Sequence, residues 1–506
     1  MQLKDEAGGT AMGVLNHRRH ITHAAIAVVT ALAVTACAAG GSSDSGAGRS
    51  GQAPPAPPRL ATDLPTARDF AMTDPASDPL STFALDIDTG SYTRFRDAVN
   101  QGRRIAPSEV RTEEFVNYFE QGYQAPREGL DVSIDAAPLP FREGHRLVRV
   151  GIRSANADHE SRPDADLVLV VDCSGSMGEA GKMDTTKAAL RTLATSLRPT
   201  DRVAMVCYST EADVALEPTP AADRLAIDRA IDSLHPQEST NAAAGLALGY
   251  DLARSMHTEG RMSRVVLVSD GVANVGDTTP GGILDRISAQ ARAGTNLISV
   301  GVGIEDYNDH LLEQLADRGD GWHVYVDTSA EAERVFATGL TGSLVVTARD
   351  AKAQVEFDPA QVAAYRLLGY ENRAVADRDF RNDAIDGGEV FAGHATTALY
   401  DVELREGARD ASFVKATVRY LDASGRPVER SRQLSDAECA PSIEHASPRL
   451  QQDLVVAMLT DRLTGGPWTQ WTRPDDLRQR AAAVTASLDS DRDVAELVGL
   501  IDRATT

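Results

Sequence analysis

Hydrophobic positions along the chain fall into blocks of different period. Residues 167–171 are an unbroken apolar run that stops at Asp172, and residues 265–268 repeat the pattern, stopping at Ser269 and Asp270. Continuous β-branched runs of this length predict strands buried on both faces, as in a parallel sheet. Around them the period changes to that of a helix over 187–197, 224–234, 240–254, 283–293 and 309–317. Residues 202–208, 296–302 and 323–326 read as further strands, with 213–217 a short partner to the first. This alternation predicts an α/β domain with a doubly wound, mostly parallel sheet over residues 166–340.

The flanks have another texture. Strands are expected at 131–136, 146–152, 344–347, 354–357, 396–404, 413–421 and 428–434, with Asp422-Ala-Ser-Gly425 as a hairpin turn. These suggest a β-sandwich over 341–440, completed by the strands before the central domain, which is then inserted in the sandwich or flanked by it. In the 80–165 region, residues 113–119 read as a helix burying Phe115, Val116 and Phe119. Over 441–506 three helices are expected. Ser447-Pro448 caps the first, Leu450, Leu454, Met458 and Leu459 form its apolar stripe, and Gly465-Gly-Pro467 ends it.

The N-terminus reads differently again. Arg18-Arg19-His20 precede an apolar run over 24–34, too short to span a bilayer and of signal-peptide length. It ends in Val34-Thr-Ala-Cys37, which resembles a bacterial lipobox. That resemblance implies a lipoprotein signal peptide over 1–36 and Cys37 as the lipidated first residue, placing the protein outside the cytoplasm on the outer face of the cell membrane. Residues 1–11 are acidic and fit no signal, so translation from Met12 suits this reading. Residues 37–79, Gly/Ser-rich and then Pro-rich, are expected to be a disordered tether.

Length and charge narrow the function. A chain of 506 residues needs several cores. A net charge of -23, from 74 acidic and 51 basic residues, argues against nucleic acid or an anionic membrane as a broad-surface partner. Membrane association is expected through the lipid anchor only. Cys37, Cys173, Cys207 and Cys439 have no zinc spacing. Cys173 and Cys207 end two neighbouring strands, where either a bridge or two buried thiols fits.

The candidate chemistry lies where the buried strands end. Asp172, Ser174 and Ser176 alternate along an extended loop and so share one side. Loops at the carboxyl ends of parallel strands are where α/β sheets bind ligands. Thr240 opens a helix and Asp270 ends the second buried strand. Carboxylate and hydroxyl oxygens suit a hard divalent ion, Mg²⁺ first, with Mn²⁺ or Ca²⁺ as alternatives. These five positions resemble the metal-ion-dependent adhesion site of the von Willebrand factor type A fold, DxSxS…T…D. The resemblance implies direct contacts from Ser174, Ser176 and Thr240, with Asp172 and Asp270 acting largely through water. It also implies an open coordination position that a partner protein's Asp or Glu fills. Cys173, between two of these residues, is expected to pack away from the ion.

Other chemistry is weaker. Asp88-Thr-Gly-Ser91 looks like an aspartic-protease turn, but that mechanism needs two such carboxylates, and the other candidate, Asp44-Ser-Gly46, lies in the tether. A turn or cap is the expected role, and no catalytic residue is assigned. His235 and His394 are read as loop histidines. No GxxxxGK[ST] run is present. Finally, Phe83-Ala-Leu-Asp-Ile-Asp-Thr-Gly-Ser-Tyr92, Glu114-Phe-Val-Asn-Tyr-Phe119, Val362-Ala-Ala-Tyr-Arg-Leu-Leu-Gly-Tyr-Glu-Asn372 and Gly393-His-Ala-Thr-Thr-Ala-Leu-Tyr400 resemble bacterial lipoproteins with a type A domain between a von Willebrand N-terminal region and a YfbK-type C-terminal region. The expectation is a membrane-anchored binding protein that is not an enzyme. A structural envelope component with a fold-stabilising metal, or a hydrolase, are the alternatives.

Overall fold

The computed structural model describes residues 70–505 apart from 159–161, 180, 272–286, 292, 304–308, 340–343, 384, 386 and 408–410. Cys37, the signal peptide, the Asp44 turn and most of the expected tether lie outside the described residues, as does the first part of the helix expected at 283–293.

The central sheet runs β6-β5-β4-β7-β8-β9. Its strands are β4 (Ala165–Asp172), β5 (Arg202–Tyr208), β6 (Ala212–Pro220), β7 (Met262–Ser269), β8 (Thr295–Val302) and β9 (Trp322–Val326). All neighbours are parallel except β6, which turns back antiparallel on β5. The two faces of β4 explain its uninterrupted apolar sequence. Leu167, Leu169 and Val171 pack with Leu190 and Leu193 of α3 (Lys182–Ser196) and Ile227 and Ile231 of α4 (Arg224–Ser233). Val168 and Val170 pack with Leu246 and Tyr250 of α5 (Ala242–Met256) and with Leu312 and Leu315 of α6 (Asp309–Arg318). Both faces are covered, so there is no polar alternation to keep.

The described residues outside this domain form two antiparallel sheets and a helical core. One antiparallel sheet is β1 (Leu80–Ala84), β10 (Val346–Phe357), β14 (Ser412–Leu421) and β15 (Pro427–Ser435), with β12 (Gly388–Phe391) also on β10. The other is β11 (Val362–Leu368), β13 (Ala395–Leu404), β3 (His145–Ser154) and β2 (Leu130–Pro138). Their inner faces share one core, in which Ile134, Val150 and Val402 of one sheet meet Phe83, Val355 and Val418 of the other. The chain leaves this sandwich after β3 and re-enters at β10, so the central domain is an insertion. A separate helical core joins α1 (Gly90–Asn100) and α2 (Thr112–Tyr118) to α8 (Pro448–Thr464), α9 (Pro474–Ser487) and α10 (Arg492–Ala504). Between β9 and β10 lies α7 (Ser329–Glu333), which continues as a π-helical stretch, Arg334–Gly339. No helix among the described residues is long and apolar enough to cross a membrane.

Three features differ from the sequence reading. Order begins before Leu80: Thr73 exchanges backbone hydrogen bonds with Tyr365 at 2.7 and 3.0 Å, adding to the edge of β11. Helix α1 was not expected. Its Tyr92, Phe95 and Val99 carry the helical period, and all three enter the helical core. Cys173 and Cys207 are joined in a disulfide with Cα atoms 5.8 Å apart, so Cys173 is a cross-link rather than packing alone, whereas Cys439 is free. Parallel pairing sets Val171 opposite Cys207, and the Cys173 N–H donates to the Tyr208 carbonyl at 2.8 Å, which brings the two cysteines side by side.

Candidate functional site

Asp172 is the last residue of β4 and is fully buried. Its Oδ1 accepts the Ser174 N–H at 2.8 Å, so the carboxylate itself bends the chain out of the strand. Its Oδ2 accepts the Ser269 hydroxyl at 2.7 Å and the Tyr208 hydroxyl at 3.0 Å. Burial pushes the Asp172 carboxyl above its ordinary range, while the Ser174 and Ser269 hydrogen bonds pull it back. Burial, with the Asp172 charge, pushes the Tyr208 phenol well up, so it stays a donor.

Beyond Asp172 the chain extends through Ser174 and closes in a 3₁₀ turn, Gly175–Gly178. This sets the Ser174 and Ser176 hydroxyls 3.0 Å apart. Ser176 donates to Asp270 Oδ1 at 3.0 Å, across from the end of β7. The other Asp270 oxygen lies 2.9 Å from the Lys182 ammonium. Four of the five expected residues therefore form one hydrogen-bonded chain at the carboxyl edge of the sheet.

Thr240 is placed differently. It is half-buried, in the loop before α5, directly after Ser239 at a φ of +65°. That loop is tied to the Asp172 loop and the end of β5: Gln237 N–H donates to the Cys173 carbonyl at 2.7 Å, and the Thr210 hydroxyl to the Glu238 carbonyl at 3.1 Å. Asn241 caps α5 by accepting the Ala244 N–H at 3.1 Å. Among the described residues no hydrogen bond joins the Thr240 hydroxyl to the other four. Its segment is brought to the site, but its side chain is not tied in.

The donor set fits a hard divalent ion: two hydroxyls 3.0 Å apart and a carboxylate oxygen 3.0 Å beyond them, with a second carboxylate held behind by its own donors. Neutral hydroxyls leave such an ion more of its charge than carboxylates would.

Sequence reasoning missed Tyr208, Ser269 and Lys182. Ser269 carried a signal, since it precedes Asp270 in the same Val-Ser-Asp run that ends β7. Tyr208 did not, because only the register of β5 on β4 brings it opposite Asp172.

The other residues singled out from sequence are elsewhere. Asp88 is buried; its Oδ1 accepts the His323 N–H of β9 at 2.8 Å and its Oδ2 lies 3.4 Å from Arg373. Thr89 is the N-cap position of α1. His235 is exposed and hydrogen-bonds the Ser233 carbonyl at 2.8 Å. His394 packs against Trp322 with ring centres 5.6 Å apart. Burial lowers its pKa to about 4.

The model of the von Willebrand factor type A domain matches residues 166–338, a second, described as von Willebrand factor, matches 65–149, and that of the YfbK C-terminal region matches 342–435. The uncharacterized protein YfbK of Escherichia coli K12 is 31% identical over 458 residues, covering 85% of this chain and 78% of that protein. The chain belongs to the YfbK family. Within it, the inserted domain is a type A domain, a fold that often mediates protein–protein interaction. The uncharacterized protein sll0103 of Synechocystis is 28% identical over 207 residues, covering 41% of this chain and 47% of that protein. A solved von Willebrand factor type A protein from Catenulispora acidiphila is 16% identical, covering 69% of this chain and 89% of that one at a TM-score of 0.39.

Proposed function

We propose that this YfbK-family chain is a membrane-anchored extracytoplasmic binding protein that captures a protein partner through a divalent ion held by Asp172, Ser174, Ser176, Thr240 and Asp270. The observation that carries the reading is the hydrogen-bonded chain Ser174–Ser176–Asp270, with Asp172 fixed behind it. When bound, the ion supplies an electrophilic centre for a carboxylate. The chain's own residues present the hydroxyls and orient Asp172 through Ser269 and Tyr208. A partner's Asp or Glu is the ligand suited to that centre, because two opposite charges attract strongly once water is excluded.

The lipobox resemblance at Cys37 supports the anchor. The Cys173–Cys207 disulfide supports an oxidising compartment, since such bonds are rare in reducing cytosol. Chemical crosslinking in membranes, with and without chelator, tests the function. A partner trapped only when Mg²⁺ is present, and lost in Asp270→Ala, is the expected result. A partner trapped equally in chelator would overturn capture through the ion.

A further inference from the structure

Lys182 is the first residue of α3, where the helix dipole disfavours a cation. Its side chain is nonetheless buried, 6% exposed, and runs back over Gly303. Gly303 has a φ of +77°, and a Cβ there would overlap the Lys182 methylenes, so glycine makes the room. The ammonium ends 2.9 Å from Asp270 Oδ2, with the exposed Glu179 carboxylate 3.9 Å away. One of the two carboxylates of the site thus carries a tethered cation on one oxygen, while its other oxygen accepts the Ser176 hydroxyl.

We infer that Lys182 is an intramolecular counter-ion of the cation site, which weakens divalent-ion binding by competing for Asp270. The inference rests on the proposed ion-binding role of the site. With Asp172 and Asp270 ionised, a divalent ion alone neutralises the two carboxylates, and the Lys182 charge is then balanced only by the exposed Glu179 carboxylate 3.9 Å away. An ammonium paired with one of the site's own carboxylates and shielded from solvent would oppose a second cation there far more than a surface lysine does.

Calorimetric titration of chelator-treated full-length protein with MgCl₂, and separately with MnCl₂, tests this. Lys182→Met is expected to bind Mg²⁺ about tenfold or more tightly than wild type, and Lys182→Arg, which keeps the charge, to stay near wild type. A gain of affinity is a readout that structural damage does not produce. Lys182→Gln serves as the second neutral variant. Equal or weaker binding by either neutral variant that folds overturns the inference while leaving the ion-binding reading intact. Binding by Lys182→Met but not by wild type supports it. Absence of binding in every variant and in wild type removes the ion-binding reading itself.

Discussion

Asp172 and Asp270 are both carboxylates at strand ends, yet they are held in opposite ways. Asp172 is fixed by three neutral donors, whereas Asp270 is shared between a hydroxyl and an ammonium. The Ser176 hydroxyl bridges the two halves of the site. Ser176→Ala should weaken Mg²⁺ binding by roughly tenfold or more while changing stability by about 1 kcal/mol, the usual worth of one hydrogen bond. Calorimetry and denaturant unfolding on the same preparation check the pair. The alternating Asp172, Ser174 and Ser176 and the distant Asp270 were legible in the sequence, because an extended loop and a strand end fix their side. Thr240 was legible only as a segment. Lys182 was not, because its charge reaches the site from a helix start through space vacated by Gly303, and neither residue signals the other along the chain.

At the scale of elements, the Cys173–Cys207 bond ties the metal-site loop to β5. Closing a loop with a sequence separation of 34 restricts the unfolded chain by roughly 3–4 kcal/mol on chain-entropy grounds. The paired substitution Cys173→Ser with Cys207→Ser should therefore lower the melting temperature and also weaken Mg²⁺ binding, since Ser174 loses its anchored neighbour. Scanning calorimetry with and without Mg²⁺ reads both effects. The parallel strands were legible because burial on both faces removes alternation. Helix α1 was not, because Gly90, Thr93 and β-branched Val99 lower its intrinsic propensity, and only packing of Tyr92 and Phe95 in the helical core makes it stable. Helix α2 contributes a different property. Glu113 is buried against Gly369 with neither carboxylate oxygen hydrogen-bonded. Burial, then Glu371 and Glu114, push its carboxyl up from an ordinary 4.5 to about 8. A folded-state pKa above the unfolded one means the folded form holds the extra proton. Its stability contribution is therefore full below about pH 4.5 and lost as pH rises through 8. Unfolding free energy should fall from pH 5 to pH 8, and Glu113→Gln should flatten that fall by roughly 1–3 kcal/mol.

Across the whole molecule, Arg373 joins the three sequence regions. Its guanidinium lies 3.1 Å from Asp86 and 3.4 Å from Asp88 of the N-terminal region, and 3.0 Å from Asp317 of α6 in the inserted domain. This is where the Asp88-Thr-Gly-Ser91 motif is used in the fold: Asp88 is a strut between the N-terminal region and β9, not a free carboxylate. Burial and the neighbouring Asp86 push the Asp88 carboxyl well up, and Arg373 pulls it back. Arg373→Met leaves these buried carboxylates unbalanced and should cost on the order of 3–5 kcal/mol in denaturant unfolding, more at pH 8 than at pH 5. The insertion itself was legible from the mirrored strand texture on either side of the central domain. The ion-pair joint was not, because Arg373 lies 56 residues from Asp317 and more than 280 from Asp86 and Asp88, and each reads alone as an ordinary surface charge. Calorimetric titration of Mg²⁺ into the chelator-treated wild-type chain and Asp172→Ala tests the ion site most directly. One saturable site is expected in wild type, and its loss in the variant. Identical titrations for the two proteins would contradict it.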